Sequence, residues 1–205
     1  MKMKYLIFDF DGVLADTYEA RLEVIGKMDG QSRQEVIAAR DGYFDKSTHT
    51  RDLNLSEQTL KDMKVWYKQY GINLMNRGFN LFSDFIKEIG KISDVKLAVV
   101  SSGSNVYVRP KLEDCGLRFT HILGFEDHHS KEEKVERICK DWEVDLKKVY
   151  FFTDSISDFM ELKNILDPNR IYGCAWGYQG YEKLLPVFKK NNILNNFSDI
   201  HKALE

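Results

Sequence analysis

Four short runs carry apolar residues nearly back to back rather than alternately: Tyr5–Phe10, Val95–Val100, Val149–Phe152 and Ile171–Ala175. A strand with one wet face alternates apolar and polar side chains. Continuous runs rich in β-branched and aromatic residues instead imply strands covered on both faces, as in a parallel sheet between helices. Phe119–Leu123 is a weaker candidate strand, and Ile193 and Leu194 form a last short one inside the polar stretch 189–196.

Helical spacing fills the gaps. Phe79, Phe82, Phe85, Ile86 and Ile89 make one apolar face, Val135, Ile138, Cys139 and Trp142 another, and Ile156, Phe159, Met160 and Leu166 a third. A final helix is expected from Ser198, a suitable N-cap. Strands alternating with helices predict an α/β fold with βαβ units, right-handed crossovers and helices on both sides of a parallel sheet. From Ala15 to Asn76 the alternation stops: no clear strand is legible, and helices are expected over 17–28, 31–40 and 57–70. This organisation predicts a core of residues 1–14 and 78–205, with residues 15–77 inserted as a helical cap and Gly78 as its hinge.

The 205 residues suffice for one core without staples. The net charge of −2 gives no overall pull on nucleic acid or an anionic membrane. No window approaches the roughly 20 apolar residues of a membrane span, and only four apolar residues lie between Lys4 and Asp9, too few for a signal peptide. A cytoplasmic protein, monomeric or homodimeric, is expected. Cys115, Cys139 and Cys174 form no Cys-x-x-Cys pair, which argues against a zinc cluster and for reduced core thiols.

The loops after the strands hold the chemistry. Asp9-Phe10-Asp11-Gly12-Val13-Leu14-Ala15-Asp16-Thr17 follows the first run. Carboxylates two residues apart on a strand end can point to one side, where a hard divalent cation would offset their repulsion; Asp-Gly is also a common turn pair. Thr153-Asp154-Ser155-Ile156-Ser157-Asp158 follows another buried run, with Asp158 a helical turn after Asp154. Helix capping alone would explain one such acidic pair but not two. Ser101-Ser102-Gly103-Ser104-Asn105 reads either as an N-cap or as hydroxyls and free N–H groups suited to a phosphate oxygen. Lys131 in His129-Ser130-Lys131-Glu132 reads, by itself, as a solvated lysine.

In this order the four motifs resemble the signature motifs of the haloacid dehalogenase superfamily, over roughly residues 4–14 and 78–205. Thr153 departs from the glycine that members often carry there. The resemblance implies a Rossmann-like three-layer core and a Mg²⁺-dependent phosphatase. In it, Asp9 is the nucleophile that forms an aspartyl-phosphate, and Asp11 protonates the leaving alkoxide and then activates water. Mg²⁺ would be held by Asp9, the Asp11 carbonyl and Asp154, with Asp158 supporting that shell. Ser101, Ser102 and Lys131 would hold the phosphoryl oxygens. Dehalogenase members lack the second aspartate, because halide leaves without a proton, so Asp11 favours phosphoryl chemistry.

A helical cap between the first two motifs resembles the branch containing phosphoglycolate phosphatase and β-phosphoglucomutase-like enzymes, which implies a small phosphorylated metabolite as substrate. A phosphomutase and a non-catalytic regulatory protein on the same fold are the alternative readings. Within the cap, Arg40, Asp41, Tyr43, Lys46, His49 and Arg51 either grip an anionic leaving group, with His49 and Arg51 as candidate substrate ligands, or form a solvated face. His128 and His129 read as loop, and Trp176-Gly177-Tyr178 as aromatic packing at the site rim.

Overall fold

The strand Lys4–Phe8 (β1) sits at the centre of the sheet because its neighbours on both edges are equally apolar. It pairs in parallel with Val95–Val100 (β4) on one side and Val149–Thr153 (β6) on the other. Phe119–Leu123 (β5) extends the sheet beyond β4. Ile171–Cys174 (β7) and Ile193–Leu194 (β8) extend it beyond β6. The six strands run β5-β4-β1-β6-β7-β8, all parallel. This computed structural model describes residues 3–44 and 54–205, without the side chains of Tyr43 and Phe44.

Successive strand residues point to opposite faces, so each continuous apolar run feeds two cores. Leu6, Phe8, Val99 and Phe152 join one cluster with Phe85, Ile86 and Ile89 of the helix Ser83–Gly90 (α4). Ile7, Ala98, Val100 and Phe151 join the other with Val135, Ile138, Cys139 and Trp142 of Lys131–Trp142 (α6). Helices on both faces give the expected three-layer α/β architecture. The three cysteines are free thiols; Cys139 and Cys174 are buried, and Cys115 is partly exposed at the edge of the first cluster.

Where the chain leaves β1 it folds back at once. Gly12 takes a left-handed φ of 76°, and the N–H groups of Val13, Leu14 and Ala15 all turn toward the Phe10 carbonyl. The strand therefore ends at Phe8, two residues before the apolar run does. The stretch read as strand-free begins with a two-residue strand, Ala15–Asp16 (β2), paired antiparallel with Asn80–Leu81 (β3). From this stem run the helices Tyr18–Asp29 (α1), Arg33–Phe44 (α2) and Glu57–Arg77 (α3). The last extends seven residues past its expected end at Tyr70, because Gly71 continues the helix. A Cβ at Gly71 would lie 3.1 Å from Val106 and 3.3 Å from Ser104, so glycine lets α3 approach Asn105–Glu113 (α5) closely. That contact compensates the intrinsic helix cost of glycine. The chain closes with Asp199–Ala203 (α9) after the short helix Gly180–Leu184 (α8); Ser198 precedes α9 but makes no side-chain cap bond. Among the described residues, no helix is long and apolar enough to cross a membrane.

Candidate active site

In an open α/β sheet the carboxyl ends of the strands point into one crevice. Here Asp9 and Asp11 follow β1, Ser101 follows β4, and Asp154 follows β6. Lys131 opens α6, and Asp158 lies in Ile156–Leu162 (α7). Asp9, Asp11, Lys131, Asp154 and Asp158 line one cavity of about 660 Å³, together with Ser102 and Gly103.

Lys131 is the hub. Only 2% of it is exposed, and its ammonium donates to Asp9 Oδ2 at 2.8 Å and Asp158 Oδ2 at 2.6 Å. Sequence alone read it as solvated; the fold buries it because Ser130 caps α6 and Glu161 of α7 accepts the Lys131 N–H at 2.9 Å. Despite burial, Asp158 and Asp9 hold its ammonium above the usual lysine range. The other Asp9 oxygen accepts the Phe10 N–H at 2.7 Å. Burial pushes the Asp9 carboxyl well up; Lys131 opposes this, while Asp158 and Asp154 add to it.

Asp158 turns toward Lys131 rather than into open space. Its Oδ2 also accepts from the Thr153 hydroxyl at 2.6 Å, so Thr153 anchors the lysine's second partner. The helix containing Asp158 departs from its expected packing. Ser157, Asp158 and Glu161 form its buried side with Leu162, whereas Ile156, Phe159 and Met160 are only partly covered, because the crevice claims the polar face.

Asp11 is held by three donors: Thr17 Oγ1 at 2.7 Å, Tyr107 Oη at 2.7 Å and Arg21 Nη1 at 3.2 Å. Sequence reasoning missed Arg21 and Tyr107. Arg21 sits one helical turn after Thr17, a spacing that could have exposed it. Tyr107 reaches Asp11 only because Gly103 leaves room, since a Cβ there would lie 1.8 Å from the tyrosine oxygen.

Ser101 is fully buried, and its hydroxyl accepts the Gly103 N–H at 2.9 Å; Ser102 is exposed. The helix N–H groups expected to be free for phosphate are taken. Glu126 accepts from Asn105 N at 2.8 Å and pairs with the Ser104 hydroxyl, which itself receives the Val106 N–H at 3.2 Å. Another lysine, Lys134, which sequence reasoning did not single out, is 1% exposed and donates to the carbonyls of Ser101 at 2.6 Å and Gly124 at 3.3 Å. Burial and the Lys131 charge bring its ammonium down to about 7.

Asp154 Oδ2 accepts the Tyr178 N–H at 2.6 Å. Burial raises its carboxyl to about 6, against that hydrogen bond and with Asp158 adding. Gly12 and Gly177 clear its space: a Cβ on Gly12 would lie 1.8 Å from Asp154 Oδ2, and one on Gly177 2.2 Å from Asp154 Cβ. Two buried carboxyls raised by their surroundings, with all-oxygen donors, fit a hard divalent cation. Among the described residues, no three His, Cys, Asp or Glu side chains converge on one point. Mg²⁺ does not require this, since it binds through one or two carboxylates and keeps several waters.

Helix α2 reaches the site through Tyr178. Its hydroxyl donates to Asp41 of α2 at 2.9 Å, Lys183 reaches the same Asp41 oxygen at 2.9 Å, and Arg40 lies 4.5 Å from the Tyr178 ring centre. The aromatic thus ties α2 to the segment after β7, beyond simple packing. His128 and His129 stack on each other in the loop before α6, as expected of loop residues. Lys46, His49 and Arg51 lie outside the described residues.

Comparison with known proteins agrees with this architecture. The model of the family described as haloacid dehalogenase-like hydrolase matches residues 6–165. No curated protein matches the chain. Among solved structures, a predicted phosphoglycolate phosphatase from Haemophilus somnus 129PT is 19% identical with a TM-score of 0.69, covering 100% of this chain and 99% of its own. A predicted phosphatase from Clostridium acetobutylicum is 18% identical with a TM-score of 0.70, at 100% and 99% coverage. CbbY from Rhodobacter sphaeroides, solved in complex with phosphate, is 15% identical with a TM-score of 0.63, at 97% and 96%. These likenesses are of fold, and the family match spans most of the sequence: the chain belongs to the haloacid dehalogenase-like hydrolases.

Proposed function

We propose that the chain is a Mg²⁺-dependent phosphatase acting on a small phosphorylated molecule through an aspartyl-phosphate on Asp9. The observation that carries this reading is the single crevice shared by Asp9, Asp11, Asp154 and a buried Lys131 bonded to Asp9 at 2.8 Å. Phosphoryl transfer needs an in-line nucleophile, positioning and charge neutralisation, and this set supplies them. The fold-level likeness to proteins described as phosphatases supports the same reading.

In this mechanism an Asp9 oxygen attacks phosphorus as the bond to the leaving oxygen breaks. Asp11 delivers a proton to that oxygen, and the alcohol departs. Asp11 then takes a proton from water as the water attacks phosphorus, the Asp9–phosphorus bond breaks, and free phosphate is released. Lys131 neutralises charge beside Asp9 throughout, and Asp158 and Thr153 keep it aimed. The Ser101–Gly103 loop, braced from below by Lys134, meets the phosphoryl oxygens. Asp9, the Asp11 carbonyl and Asp154 would hold Mg²⁺, which supplies further charge neutralisation at the phosphoryl group. Residues 15–77 act as a cap that shields the reaction from water, latched to the core by Asp41, Tyr178 and Lys183.

The test is phosphate release from a panel of phosphate monoesters, with Mg²⁺ or with chelator, by the wild type and by Asp9→Asn. Metal-dependent release abolished in the variant is expected. Release that persists in Asp9→Asn, or that ignores the chelator, would overturn the assignment.

A further inference from the structure

Resting on the phosphatase reading, we propose that the leaving group of the substrate carries a planar heteroaromatic ring, as in a nucleoside 5′-monophosphate. The cavity above Asp9 measures about 660 Å³. Pockets that enclose whole drug-sized ligands span about 300–1,000 Å³, and a phosphorylated two-carbon acid would fill little of this one.

Aromatic side chains line the cavity, Tyr18, Trp66, Tyr67, Tyr70 and Tyr178 among them. Trp66 and Tyr70 of α3 stack at 5.2 Å with planes 6° apart, and Tyr67 beside them stacks on Phe125 of the core at 4.1 Å. Tyr178, also in the lining, carries the Arg40 guanidinium against its face. The indole of Trp66 is fixed by its N–H to Asp29 Oδ1 at 3.3 Å. Flat, pre-aligned side chains of this kind favour a flat ligand face.

A ring of carbon alone would leave two polar atoms unmet. Tyr70 is 1% exposed, and its hydroxyl has no hydrogen-bond partner among the described residues; the same is true of Arg21 Nε. Both residues line the cavity. Burial raises the Tyr70 phenol above its ordinary range, so it stays protonated and can donate. A buried donor without a partner is costly, and a ring nitrogen or ring carbonyl is the acceptor that satisfies it while keeping the ligand flat. The aromatic walls favour a flat ligand, and the stranded donors select a heteroaromatic ring over a purely carbocyclic one.

The experiment compares kcat/KM for nucleoside 5′-monophosphates, a hexose phosphate and phosphoglycolate, with the full chain and Mg²⁺. It uses the wild type, Tyr70→Phe and Trp66→Leu. Binding of adenosine 5′-monophosphate to Asp9→Asn is measured in parallel by calorimetry. A preference for the ring-bearing esters of about tenfold or more is expected. Tyr70→Phe should lower kcat/KM for them by about three- to tenfold, the value of one hydrogen bond, and leave phosphoglycolate unchanged. Because it removes a stranded hydroxyl, Tyr70→Phe should fold at least as well as the wild type. Turnover of small or sugar esters without preference for a ring, or equal losses on all substrates in both variants, would overturn the inference and leave the phosphatase reading intact. Nucleotide binding without turnover of any ester would sink the phosphatase reading and keep the ring site. Neither binding nor turnover of nucleotides would overturn the ring site.

Discussion

Replacing Lys131 with methionine removes the ammonium that bridges Asp9 and Asp158 while keeping most of the apolar stem. Lys131 is 2% exposed and makes contacts of 2.8 and 2.6 Å to the two carboxylates. Removing one partner of a buried pair costs about 3–5 kcal/mol, because the remaining charge is left uncompensated. For a chain of this size that corresponds to a fall in Tm of about 6–20 °C. The pH dependence identifies the cause. Burial with Asp158 and Asp154 already raises the Asp9 carboxyl, and Lys131 opposes the rise. A carboxyl whose folded pKa exceeds its unfolded value destabilises the folded state above the folded pKa, and the penalty fades as pH falls through that value. The variant's deficit should therefore be largest at neutral and alkaline pH and shrink on acidification. Urea unfolding in chelator from about pH 8 to about pH 5 measures it. A deficit below about 1 kcal/mol, within the range of a surface pair, or one that grows toward acid, would refute the reasoning.

Other perturbations probe the surrounding parts. Gly177→Ala places a methyl 2.2 Å from Asp154 Cβ and 2.6 Å from the Gly12 carbonyl, so the Mg²⁺ concentration for half-maximal phosphatase activity should rise; an unchanged metal titration would contradict the role of Asp154. Asp41→Ala breaks the latch to Tyr178 and Lys183. As an exposed pair it should cost at most about 1 kcal/mol of stability, yet KM should rise by about two- to fivefold. Identical kinetics would remove the latch from the account. Lys134 titrates near 7 in the folded chain against an ordinary 10.5. A depressed lysine makes stability climb with pH between these values, by up to about 1.4 kcal/mol per pH unit. Lys134→Met should flatten that part of the stability profile, and an unaltered profile would show that the ammonium is not strained.

The sheet was legible because burial on both faces writes itself into the sequence as unbroken apolar runs, and five strands appear within two residues of their expected bounds. Errors came where glycine or a polar face carried information of another kind. The helix expected to stop at Tyr70 runs on through Gly71, which is a contact point with α5. On α7 the apolar residues suggested the buried side, whereas the crevice buries Ser157, Asp158 and Glu161. In the site, Asp9, Asp11 and Asp154 stood out because carboxylates directly after buried strands have few structural uses. Lys131 gained meaning only from its place among the motifs, since nothing local in a helix-start lysine announces burial. Tyr107 and Lys134 were invisible for a related reason: each acts through a contact distant in the chain, as with Tyr107 and Asp11, 96 residues apart, whereas Arg21 lies close to Asp11 in sequence and was overlooked despite its helical spacing from Thr17. The occupied N-terminus of α5 shows the same limit, because its blocking partner Glu126 comes from the loop after β5.

The central claim is that Asp9 itself accepts the phosphoryl group. Its most direct test is acid quenching of the protein during turnover of p-nitrophenyl phosphate with Mg²⁺, followed by intact-mass measurement and peptide mapping. The account expects a mass increment of one phosphoryl group, acid-stable and base-labile, on the peptide carrying Asp9, and none in Asp9→Asn. Turnover with no phosphorylated protein under conditions that trap a known acyl phosphate, or a phosphoryl group mapped to another residue, would contradict it.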